Sequence, residues 1–219
     1  MSQFIHVAKI TISLLWEGFQ VTFIVSFVSI LLAILLGVFL CLMCLAENKV
    51  LRAIGRAYIK IFRCTPFMVQ VYLIYYGLPE FGINVSALQT GIIILSMYTA
   101  AYIAVILESG IKAIPKGQSE AAYAMGMSRK ATLLRIIFPQ TISVIIPSLT
   151  GQLIQTVKDS SILSVITVVE MTMMTKEAIG LTFDSLNVYI ITAVFYWIIN
   201  LMIEAGSKKV ENRYKKHLI

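Results

Sequence analysis

Across 219 residues the sequence is 58% hydrophobic and only 13% charged, with a formal net charge of +7. Soluble domains run about 45–50% apolar and about 25% charged, so this balance excludes an ordinary water-soluble domain. The basic residues fall mainly in three blocks, from Lys49 to Arg63, Lys112 to Arg135 and Lys208 to Lys216; they read as a membrane-topology signal, and no nucleic acid is expected as a partner.

The first crossing is expected over Gly18–Ala46, which contains no charged residue. A helical crossing needs roughly 20 apolar residues. The stretch is too long and too late for a signal-peptide core of about 7–15 residues, so no cleavable leader is expected and residues 1–219 read as one transmembrane domain. Cys41-x-x-Cys44 has half the form of a metal or redox motif, but it lies inside the apolar run without a second pair or a nearby His. Packing is the expected role of both thiols.

A second span is expected over Ile61–Leu78, ending in a Gly77–Gly82 turn with Tyr72, Tyr75 and Tyr76 as interfacial anchors. A third covers Ala87–Leu107. The loop Ile111–Arg135 is too polar to cross and reads as two short helices. Ser119 is placed to cap the first, Gly126 to end it in a left-handed turn, and Ser128 to cap the second. A fourth span, Ile136–Val157, and a fifth, Val188–Ile203, follow. Ser160–Leu186 is apolar but short and interrupted, and is expected to form one or two short helices that lie outside or re-enter. The fold class is all-α integral membrane with about five spans. If the basic blocks share the cytoplasmic side, the N-terminus is outside and the C-terminus inside.

In the fourth span Ser148, Gln152, Gln155 and Asp159 recur at one helical face, extended by Thr141. Two readings fit: a water-filled path, or interhelical hydrogen bonds worth about 0.6 kcal/mol each. Pro139 and Pro147 can bend this helix. Lys158-Asp159 reads as a structural pair or a gate, and Met171, Met173 and Met174 as core or as an adaptable surface.

The run Glu120-Ala121-Ala122, then Gly126, Ile136 and Pro139, resembles the EAA loop of binding-protein-dependent ABC importer permeases. Arg63-Cys64-Thr65-Pro66-Phe67-Met68-Val69-Gln70, Ala100-Ala101-Tyr102, Ile114-Pro115-Lys116-Gly117-Gln118, Pro139-Gln140 and Lys158-Asp159-Ser160-Ser161 resemble the polar amino acid permeases in the same order. The likeness covers about residues 14–210. It implies the type I importer permease fold and a complex of two permease subunits, two cytosolic ATPase subunits and an external solute-binding protein. ATP and Mg would be used by the ATPase partner, since this chain has no phosphate loop of its own and is expected to bind no cofactor and no metal. Glu120, Ala121, Ala122, Gly126 and Pro139 are then the coupling residues. The solute path is implied at Thr65, Gln70, Tyr98, Tyr102, Ser148, Gly151, Gln152, Gln155, Asp159 and Ser160. A bacterial cytoplasmic membrane and a polar amino acid, cystine or a related sulfur amino acid among the candidates, complete the expectation.

Three positions depart from the pattern. Tyr98 and Gly151 stand where the family often has Asn, and Val105 where it often has Glu, with Glu108 in place of a nearby Arg. These departures imply a different solute or the non-binding half of a heterodimer. A membrane enzyme is disfavoured because the only histidines, His6 and His217, lie at the two ends. An independent channel or carrier would need a filter, a charged ring or more wall than five spans supply.

Overall fold

The computed structural model describes residues 2–215, with side chains over 3–212; Lys216 and His217 lie outside the described residues. The described chain is helical, in the order α1 Ser2–Leu45, α2 Lys49–Cys64, α3 Phe67–Glu80, α4 Ala87–Ala113, α5 Lys116–Ala124, α6 Arg129–Thr132, α7 Phe138–Asp159, α8 Met171–Thr182 and α9 Ser185–Lys215. A π-helical turn, Leu133–Ile137, joins α6 to α7, and a 3-10 segment, Ser160–Ile166, follows α7.

α1 contains no proline to break it and runs 44 residues, roughly 66 Å. One stripe of it is buried, through Leu15, Thr22, Ser29, Ala33, Leu40 and Cys44, while Phe23, Phe27, Leu35 and Phe39 face outward. Small and hydroxyl-bearing residues inward with large apolar ones outward is the pattern of a helix packed among helices and bathed in lipid. Cys41 and Cys44 are free, buried thiols within this packing, as expected.

Four stretches are long and apolar enough to cross a membrane: Gln3–Leu45, Ala87–Ala113, Arg129–Ile166 and Ser185–Asn212. The expected span Ile61–Leu78 is not one helix. The chain breaks between Cys64 and Phe67, because Pro66 has no N–H to donate and pushes Thr65 to extended backbone, φ −114° and ψ 144°. Gln70 holds the break closed. Its Nε2 donates to the carbonyls of Phe62 (3.0 Å) and Thr65 (3.1 Å) and to Thr65 Oγ1 (2.5 Å), meeting the orphan acceptors at the end of α2.

Side-chain contacts fix the helix directions. Ser29 Oγ donates to the Ile92 carbonyl at 3.2 Å, and Gly37 faces Ile103, so α1 and α4 run parallel. Thr99 Oγ1 lies 3.1 Å from Thr156 Oγ1 while Gly110 faces Ile145, so α7 runs against them. Thr175 meets Thr192 at 2.9 Å and Thr172 meets Tyr196 at 3.2 Å, which makes α8 and α9 an antiparallel hairpin. The Met171 amide donates to Thr22 Oγ1 at 3.1 Å, and Val7 clusters with Ala178 and Val188, placing this hairpin along the first half of α1. Met171 and Met174 are buried there as core, while Met173 is half-buried.

Candidate functional site

The turn from α4 into α7 projects a nine-residue helix, α5, from the end of the bundle. It starts four residues earlier than expected: Pro115 occupies the cap position, and Ser119 sits within the first turn, donating to the Lys116 carbonyl at 2.8 Å. Ser119 is therefore not the cap, since the proline already sets the entry angle. The far end follows expectation. Gly126 takes φ +79°, the Met127 amide donates to the Ala122 carbonyl (3.1 Å) and the Gly126 amide to the Tyr123 carbonyl (2.9 Å), the paired bonds of a Schellman stop. Ser128 accepts from the Ala131 amide at 3.3 Å and starts α6.

Only Ala122 of this helix is buried. Glu120 and Ala121 are exposed, as are Tyr123 and Met125, the last at 73%. Large apolar side chains beside an acid on a short projecting helix form a surface suited to a partner's groove. The helix is tied back to the bundle: Gln140 Nε2 donates to Gln118 Oε1 at 3.3 Å and to the Ile136 carbonyl at 2.9 Å, and Arg129 pairs with Glu47 in the α1–α2 turn. Pro139, second residue of α7, follows directly on the π-helical turn. Its missing N–H relaxes the local hydrogen-bond ladder, the condition under which π-turns and kinks arise.

The residues expected along a solute path divide into two sets. Thr65, Ser148, Gly151 and Gln155 are exposed, and an added side chain at Gly151 would meet nothing within 4 Å. Tyr98 and Tyr102 are half-buried with their hydroxyls 3.1 Å apart; Phe67 packs on Tyr98 (4.5 Å), and the Arg63 guanidinium lies over Tyr102 at 5.2 Å. The other residues turn inward. Gln70 clamps the α2–α3 break, and Ser160 is fully buried, donating to the Val157 carbonyl at 2.7 Å. Gln152 and Asp159 are buried while Ser148 and Gln155 beside them are exposed, so the expected stripe runs along the edge between the packed and the open surface of α7. Asp159 takes its hydrogen bond from Gln155 (2.7 Å) rather than from Lys158, which is exposed.

Two features escaped the sequence reading. Glu170, fully buried, caps α8: its carboxylate accepts from the amides of Thr172 (2.8 Å) and Met173 (2.9 Å) and from the Tyr196 hydroxyl (3.1 Å). Burial pushes its carboxyl up to about 7, against the opposing pull of those hydrogen bonds. The signal was an acid directly before a Met-Thr-Met-Met helix start, easily passed over in an apolar stretch. The second feature is Arg56, Lys60 and Arg63, which line a groove between α2 and α4. Their three- and four-residue spacing marked one helical face, but a basic block reads first as topology.

Residues 29–216 match the family described as the binding-protein-dependent transport system inner membrane component. Among curated proteins the chain is 32% identical to a "Probable glutamine ABC transporter permease protein" of Bacillus subtilis, covering 93% of this chain and 94% of that one. It is 31% identical to the L-cystine transport system permease protein of the same organism, over 92% and 86% of the two chains. A solved structure described as an amino acid ABC transporter with histidines superposes with a TM-score of 0.87 at 33% identity, covering 92% of this chain and 94% of that one.

Proposed function

This chain belongs to the binding-protein-dependent transport system inner membrane components, and from that premise we propose how it works as the membrane-embedded permease subunit of a type I ABC amino acid importer. Five alternating crossings, with α2 and α3 together forming the second, put the N-terminus outside and the C-terminus in the cytoplasm of a bacterial cell. A second permease subunit completes the path, two ATPase subunits hold ATP and Mg on the cytoplasmic side, and a solute-binding protein delivers the solute from outside.

The observation that carries this reading is α5. Its exposed Glu120, Ala121, Tyr123 and Met125 offer the docking surface, with Ala122 packed behind it and Gly126 setting the turn. Closure of the ATPase pair would push α5, and the Gln118–Gln140 contact would pass that displacement through the π-helical turn and Pro139 into α7. α7 carries Ser148, Gly151 and Gln155 on its open side, so its tilt would open or close the path beside Tyr98, Tyr102 and Thr65.

The solute is a polar amino acid. A sulfur amino acid such as cystine is the specific proposal, supported by the cystine permease among the relatives, by the aromatic wall of Tyr98 and Tyr102, and by the open space at Gly151. Uptake into proteoliposomes holding the full complex, driven by ATP and the binding protein, tests it against cystine, glutamine and arginine. ATP-dependent accumulation of one of them establishes the importer, and cystine must lead the panel for the specific proposal to survive. Tyr98→Asn and Gly151→Asn should change the order of preference; an unchanged order removes the pocket from this subunit.

A further inference from the structure

α2 carries five cations on one side. Lys49, Arg52, Arg56, Lys60 and Arg63 recur at steps of three or four residues, which keeps them on one helical face. Its buried residues, Gly55 and Ile59, flank that face, and Ile59 forms part of the floor of the groove the cations line. The helix does not lie flat across one end of the bundle. Gly55 meets Cys44 near the end of α1, Tyr58 donates to the Met97 carbonyl at 2.9 Å, and Arg63 reaches Tyr102. Ile59 packs with Ala100, Ile103 and Ala104, and Phe62 against the cluster of Ile94 and Leu95 nearer the start of α4. α2 therefore climbs along α4 into the depth of the bundle and takes Arg56, Lys60 and Arg63 with it.

Arg56, Lys60 and Arg63, all exposed, line a groove of about 390 Å³ with Tyr102, Val105 and Glu108. Glu108 is the only carboxylate in that lining, and Lys112 occupies it at 2.5 Å. The groove thus keeps an excess of positive charge. Cations at depth in a membrane-embedded chain face water or a partner charge rather than lipid.

We propose that the α2–α4 groove is a water-filled section of the solute path that selects by charge, favouring amino acids with a free carboxylate and no net positive charge over cationic ones. This deepens the importer reading and rests on it for the solute. A cleft of one sign raises the local concentration of oppositely charged solutes by about tenfold or more. The guanidinium fork of Arg63, held over Tyr102, matches a carboxylate in two-point geometry.

Cys64 is an exposed free thiol in the same groove, whereas Cys41 and Cys44 are buried, so the native chain carries its own reporter. The full chain, in nanodiscs with its ATPase, is treated with two methanethiosulfonate reagents, one bearing a sulfonate and one a quaternary ammonium. Each rate is divided by that reagent's rate with a free small thiol, and Cys64→Ser identifies the signal. The sulfonate is expected to react about tenfold faster. The ratio should fall toward one in Lys60→Gln and Arg56→Gln, and at high salt. Glutamate and glutamine should slow labelling while arginine at equal ionic strength does not. Equal or reversed rates, or no labelling from water, overturn the charged groove; protection by arginine as strong as by glutamate overturns the solute class. Loss of ATP-driven uptake with the rate ratio intact sinks the importer reading instead, so the two failures are distinguishable.

Discussion

Gly110→Ala tests how tightly α4 and α7 are joined beside α5. A Cβ at this position would lie 2.1 Å from Ile145 Cγ2 and 3.1 Å from Thr141 Cγ2. Ile145 is buried and β-branched, so its methyl cannot rotate clear. Overpacking of this kind costs about 1–3 kcal/mol, and alanine in place of glycine within a helix returns about 1 kcal/mol. The net expectation is a loss of about 1 kcal/mol, a fall of roughly 2–4 °C in apparent melting temperature for a chain this size. Ile145→Ala removes the obstructing methyl. In that background only the tight contact with Thr141 Cγ2 opposes the helix-propensity gain, so Gly110→Ala should stabilise, by at most about 1 kcal/mol. The sign reversal is the test, read as a double-mutant cycle by thermal unfolding at one fixed scan rate. Destabilisation of equal size in both backgrounds, or stabilisation in both, would refute the packing argument.

Two further expectations concern the parts that hold the bundle in shape. Glu170 has a folded-state pKa of about 7, above its ordinary value of 4.5, so the folded protein holds the proton more tightly. Stability should therefore fall as pH rises from about 4.5 to about 7, by at most about 3 kcal/mol, and then level off; Glu170→Gln should flatten that dependence in melting curves, and an unchanged slope would count against Glu170 as its source. Gln70→Leu removes the donor to Phe62 and Thr65 and should cost about 1–3 kcal/mol. It should also raise amide exchange around the α2–α3 break, and unchanged exchange there would rule out the clamp.

Much of the architecture was legible in the sequence because a membrane imposes length and composition on its spans. All but the last residue of charge-free Gly18–Ala46, and the apolar runs after Ala87, Ile136 and Val188, fall within long helical stretches. The boundaries were less legible. α1 begins at Ser2 because Lys9 and Glu17, which stop an apolar run, do not stop a helix. The second span was drawn through Thr65-Pro66, although a residue before proline is pushed out of helical backbone, and the Gln70 clamp that makes such a break tolerable is a tertiary contact. Gly126 and Ser128 were readable because their roles are local. Ser119 was misplaced as a cap because Pro115 had already started the helix. The α7 stripe was correct in its spacing, but four positions on one side say nothing about which of them a neighbour covers: Gln152 and Asp159 became buried, and Ser148 and Gln155 stayed in the open.

The measurement that bears most directly on the central claim is ATP hydrolysis by this chain assembled with its ATPase in nanodiscs, comparing wild type with Glu120→Arg. Glu120 is exposed on α5, so its replacement should leave the bundle folded and reverse the charge offered to the ATPase. The account predicts that loaded binding protein stimulates the wild type and that Glu120→Arg abolishes the stimulation while its melting temperature is unchanged. Full stimulation in Glu120→Arg, or a wild-type chain that binds no ATPase, would contradict it.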